Sequence, residues 1–169
     1  MRTEQDRIDA LYRIARKSYD RAARLLNIAP PELISDFEID STQVDSRGVA
    51  FNPLWLLSLI DRHCDSTECG WSSTIGIFGH ELWHHEHHNN IDYLIRPQDC
   101  ELDADFNASR ALGLTGLAHH QFMNVIADLA GHEDGLHTHP AAPERLMHIR
   151  LGFVEGQRQR IRIHGSPGL

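Results

Sequence analysis

The chain has 169 residues, 41% hydrophobic and 24% charged, which fits one domain with a real core and leaves little room for a second. A net charge of −8, from 16 basic and 24 acidic residues, disfavours nucleic acid as a partner over the whole surface. No apolar run approaches the roughly 18 residues of a membrane span, and the N-terminus "MRTEQDRIDALYRIARKSYD" lacks the apolar stretch of a signal peptide, so a cytoplasmic location without a membrane partner is expected.

From Ile8 to Leu26, apolar residues recur at three- and four-residue steps (Leu11, Tyr12, Ala15, Tyr19, Ala22), the pattern of a long amphipathic helix that Pro30 and Pro31 terminate. "FEID" (37–40) and "GVAF" (48–51) read as short strands around a polar turn at Asp45 to Gly48. Asn52 can cap, and Pro53 open, a helix through "LWLLSLIDRH". Residues 64–70 read as a loop. The odd count of cysteines there and beyond, Cys64, Cys69 and Cys100, reads as free thiols. Ser72 or Ser73 can cap the next helix, "SSTIGIFGHELWHHEHH", in which Gly76 and Gly79 lower helix propensity but allow close approach. Further helices are expected after Pro97 to near Gly113, over 116–131, and over "APERLMHIRLGF" (142–153), with a loop at "GHEDGLHTHP". Residues 155–169 read as an Arg-rich C-terminal tail behind a single domain of 1–154.

His80-Glu81-Leu82-Trp83-His84 is an HExxH. Residues four apart on a helix share a face, so both imidazoles can point at one ion, with Glu81 placed to accept a proton from water. A chain with 13 histidines makes such a motif by chance about one time in twenty, so the motif alone is suggestive and a third ligand is needed. The metzincin continuation fails, because its Gly and His positions hold His87 and Asn90, and an inverted HxxEH would need a histidine where Trp83 stands. A downstream carboxylate remains: "CELDAD" offers Glu101, with Asp105 one turn later. His80, His84 and Glu101 make a set that leaves a fourth zinc position open to water, as catalytic sites do. Asp105 can reach the far nitrogen of a ligand histidine and orient it. His88 is an alternative third ligand, but three ligands on successive turns of one helix converge poorly on a tetrahedral ion. His85, His87 and His88 are therefore read as solvated or supporting groups.

HExxH followed by ExxAD resembles the gluzincin metallopeptidases, in the family of the heat-shock membrane protease and the CAAX prenyl protease. The resemblance extends to "THPAAPERLMHI" (138–149), which matches that family's His-Pro segment, and covers roughly residues 36–152. It implies a zincin-like α+β fold, mainly helical with a small β-sheet. It implies one zinc ion per chain held by His80, His84 and Glu101, with Glu81 as general base, Asp105 as the acidic residue of the Glu helix, and His139 near the substrate oxyanion. Tyr93 and Arg145 are further oxyanion candidates. The chain departs from the family in lacking membrane helices, in carrying "SRGVAFNP" where an Asn-Ala-x-Ala pattern is usual, and in placing only 16 residues between His84 and Glu101.

The expected function is zinc-dependent hydrolysis of a peptide or protein substrate lying extended along the "GVAF" strand. Two other readings stay open: a zinc-binding, catalytically idle protein-interaction module, and a peptidase restricted to one protein partner. The retained Glu81 favours an enzyme, since metal binding alone does not require it.

Overall fold

The computed structural model describes residues 3–90, 96–131 and 140–164. Six helices and three strands follow in the order α1 (Glu4–Leu26), β1 (Glu32–Ser35), β2 (Thr42–Val44), β3 (Gly48–Phe51), α2 (Pro53–His63), α3 (Thr67–Asn90), α4 (Pro97–Thr115), α5 (His120–Gly131) and α6 (Ala142–His164). The chain is thus mainly helical with a small mixed sheet, an α+β architecture. No helix among the described residues is long and apolar enough to cross a membrane.

α1 begins on a capping box, in which Thr3 Oγ1 accepts from Asp6 N–H and Asp6 returns the bond to Thr3 N–H. It stops at Asn27, which adopts the left-handed conformation (φ 59°) that ends helices. Leu11, Ala15, Tyr19, Ala22 and Leu26 are buried, as their spacing predicts. Tyr19 and Phe51 each meet Phe78 of α3 edge-on, at 5.7 and 5.6 Å between ring centres, joining α1, the sheet and α3 in one core.

The sheet has the order β1-β3-β2, with β1 parallel and β2 antiparallel to β3. "FEID" is not a strand. Asp36 Oδ1 accepts from Glu38 N–H at 2.8 Å, and Asn52 Nδ2 donates to Ile39 C=O at 2.7 Å, bending 36–41 so that the flanking "ELIS" and "TQV" pair with β3 instead.

α3 begins at Thr67, five residues before the expected cap, with Ser66 Oγ accepting from Cys69 N–H at 3.2 Å. Ser72, Ser73 and Thr74 lie inside the helix, fully buried. Ser72 donates to Ala118 C=O, Ser73 lies 3.4 Å from Cys64 Sγ, and Thr74 bonds Ser18 of α1 at 2.7 Å. The middle of α3 is enclosed on all sides, so its polar residues act as internal links rather than as a cap. Close approach occurs where the glycines allow it: a side chain at Gly76 would overlap the Phe122 ring, and one at Gly79 would press on Ala108 of α4. The three cysteines are free thiols.

α6 runs on past residue 153 to His164. Its buried residues Arg145, Ile149, Gly152 and Gly156 recur at steps of four, three and four, forming one stripe against α4. A Cβ at Gly152 would lie 2.0 Å from Phe106 C=O, and one at Gly156 2.1 Å from Arg110 C=O. Only glycine lets the two backbones come this close, and the same stripe delivers Arg145 to the α4 residues beside the histidines.

Candidate metal centre

α3 presents His80, Glu81 and His84, and α4 presents Glu101 and Asp105 one turn apart. His80 Nε2 lies 2.9 Å from His84 Nε2. Glu101 places Oε1 3.1 Å from His84 Nε2 and Oε2 3.5 Å from His80 Nε2. A tetrahedral ion that holds such donors at about 2.0–2.1 Å needs them roughly 3.3 Å from one another. The three side chains fit a divalent cation on that measure, and they are the one such donor group among the described residues.

The surroundings complete the set. His80 Nδ1 lies 3.0 Å from Asp105 Oδ1 in a short contact that is bent away from the ring N–H axis. Asp105 is fully buried and takes both prongs of the Arg145 guanidinium, from Nε at 2.7 Å and Nη2 at 2.9 Å. Nη2 also lies 3.4 Å from Glu101 Oε2. Burial works against charge on Asp105, but His80 and Arg145 outweigh it and hold its carboxyl below the usual range. Burial likewise opposes charge on Glu101, which His80 and His84 nonetheless hold well below the ordinary carboxylate value. Burial lowers and the two carboxylates raise the His80 imidazole, with a net rise to about 10. With His80 in the neutral form that metal binding requires, Glu101 and Asp105 against Arg145 leave one surplus negative charge, and Glu81 makes two, which a divalent cation would neutralise.

Glu81 receives a hydrogen bond from Thr42 Oγ1 of β2 at 2.6 Å. Nothing in the sequence pattern singled out Thr42; only the packing of β2 across α3 brings it there. Trp83, within the HExxH, donates from Nε1 to Asp103 Oδ2 at 2.8 Å and ties α3 to α4. Arg145, the third oxyanion candidate, is 4% exposed, with its guanidinium held by Asp105. His139 and Tyr93, two of the oxyanion candidates, lie outside the described residues.

The site opens into a cleft of about 400 Å³. His80, Glu81, His84, Glu101 and Arg145 line its polar side, and Trp55, Ile77, Phe122, Ile126 and Leu129 form an apolar wall. Ser41 to Val44 border it. The expected substrate strand, Gly48–Phe51, is the central one, paired on both sides and buried, so it has no edge to offer. The edge that borders the cleft is β2. Ser41 C=O accepts from Asn52 N–H and Asp45 N–H donates to Gly48 C=O, so the odd-numbered residues of this strand face β3. The alternation of an antiparallel ladder then turns the backbone groups of Thr42 and Val44 outward.

Comparison of the chain with protein-family models, with curated proteins and with solved structures finds no match.

Proposed function

We propose that the chain is a zinc-dependent metalloendopeptidase of the gluzincin kind, zincin-like in fold. The observation that carries this reading is the convergence of His80, His84 and Glu101 beside a carboxylate, Glu81, in an open cleft with a strand edge along its border. His80, His84 and Glu101 would hold the ion, which supplies Lewis acidity, polarising a carbonyl and making a water acidic near neutral pH. Zinc suits a set of two nitrogens and one carboxylate. Glu81 accepts the proton of the attacking water and returns it to the leaving amine. Thr42 fixes one Glu81 oxygen, leaving the other to face the water. Asp105 orients His80, and Arg145 holds Asp105 charged. An extended peptide pairs its backbone with Thr42 and Val44, and an apolar side chain of that peptide lies against Phe122 and Ile126. A cytoplasmic location and a protein or peptide partner belong to the same reading.

The test is metal content and peptide hydrolysis measured together on untagged protein. The expected results are one zinc per chain, lost in Glu101→Ala, and cleavage of a fluorogenic peptide library that Glu81→Gln abolishes while keeping the metal. Full metal without cleavage in the wild type would reject general peptide hydrolysis in favour of idle metal-dependent binding or of a peptidase restricted to one protein partner. Equal metal in wild type and Glu101→Ala would remove the site.

A further inference from the structure

α6 carries two apolar stripes on opposite sides. Arg145, Ile149, Gly152 and Gly156 face α4 and are buried. Met147, Leu151, Val154 and Ile161 point the other way and are 51%, 54%, 44% and 47% exposed. Their steps of four, three and seven follow a 3.5-residue seam, with Arg158 at the intermediate position. Scattered exposed apolar side chains are ordinary. These are not scattered: among the described residues, only Phe37 and Leu54 are large, apolar and comparably exposed outside α6. The fold leaves this stripe unexplained, because α6 already buries its opposite face.

We propose that the stripe pairs with the same stripe of a second copy of this chain, the two α6 helices running antiparallel. Charge along the helix selects this occupant and this direction. Glu144 stands exposed near the N-terminus of α6, and Arg158, Arg160 and Arg162 stand exposed near its C-terminus. An antiparallel copy sets each Glu144 opposite Arg162 of the other copy, a guanidinium that Glu155 of its own helix also holds at 2.9 Å, about a two-fold axis near Val154, and opposes the helix dipoles favourably. A parallel copy would set Arg158 against Arg158 within the seam, while Arg160 turns away toward Gly116 at the end of α4. The Arg158 stem lies along the seam and its guanidinium reaches out to water. From Met147 to Ile161 the seam is about 21 Å long. One helix wide, at about 10 Å, a seam of that length covers well under the roughly 800 Å² per partner of a standard interface, so the dimer is a weak, reversible one.

Sedimentation equilibrium on the full chain from about 1 to 100 µM tests this. The expected mass rises across that range from 19.2 kDa toward twice that value. Leu151→Glu with Val154→Glu holds the chain monomeric throughout without changing its far-ultraviolet circular dichroism, because both side chains are exposed in the single copy. Glu144→Arg weakens the dimer at least tenfold, and adding Arg162→Glu restores it. A wild type that is monomeric at every concentration, or a dimer indifferent to Leu151 and Val154, overturns the proposal. So does a monomer that floats with phosphatidylserine vesicles through these same residues, which would assign the stripe to a lipid surface.

Discussion

Replacing Arg145 by Met keeps much of the side-chain volume and removes the charge behind the site. Asp105 is fully buried, and two of its hydrogen bonds come from this guanidinium. Breaking a buried pair by deleting one partner costs about 3–5 kcal/mol, because the remaining charge is left in a poorly solvating interior. His80 stays beside Asp105 and keeps part of the compensation, so the lower end, about 3 kcal/mol, is expected. At roughly 2–4 °C per kcal/mol for a chain of this size, the melting midpoint of the metal-free protein falls by about 6–12 °C. Thermal unfolding followed by circular dichroism measures it. Adding Asp105→Asn removes the stranded charge and recovers part of the loss, so the two substitutions are not additive. The pH dependence has a defined sign. Asp105 has a depressed folded pKa, so its paired charge stabilises above the unfolded value of about 3.9 and that contribution is lost as pH falls through the folded value. The gap between wild type and Arg145→Met is therefore full at pH 7 and narrows below about pH 4. A loss under about 1 kcal/mol at pH 7, or strict additivity with Asp105→Asn, would refute the clamp.

Gly152→Ala puts a methyl 2.0 Å from Phe106 C=O. Overpacking of about 1–3 kcal/mol exceeds the gain of about 1 kcal/mol in helix propensity, so calorimetry should show net destabilisation, and unchanged or raised stability would contradict the close packing of α6 on α4. In the metal-free chain the His80 imidazole is held up to about 10, so zinc must displace its proton. Zinc affinity should rise with pH toward that value, with proton release seen by an indicator dye in weak buffer. By the same linkage, the stabilisation that protonated His80 lends the metal-free chain is complete below about 6.5 and disappears as pH rises through about 10. Thr42→Val removes the hydroxyl that holds Glu81. Peptide turnover should drop roughly tenfold at constant metal content, while a Ser replacement restores it, and unchanged turnover would detach Thr42 from the reaction.

What could be read directly from the residues was whatever depends on one helix at a time. The 3.6-residue turn puts His80 over His84 and Glu101 over Asp105 whatever surrounds them, so both halves of the candidate site are visible as spacing. α1, α2 and α4 announced themselves by apolar stripes, an Asn-Pro start and a Pro-initiated turn. Elements whose identity depends on a partner are not legible in this way. "FEID" has the composition of a strand, but β3 accepts "ELIS" and "TQV", and pairing is a property of two segments. For the same reason β3 could be named as a strand but not as the central one, and the edge bordering the cleft belongs to β2. Ser72 and Ser73 look like a cap because a sequence cannot show that a helix is buried on every side. Arg145 lies 40 residues from Asp105, and nothing local separates it from the surface arginines that follow. Gly152 and Gly156 bring α6 close enough to α4 for Arg145 to reach inward. Local chemistry and helical period determined which side chains face together; the packing of one backbone on another decided which charges are buried beside them and which strand is left at the edge.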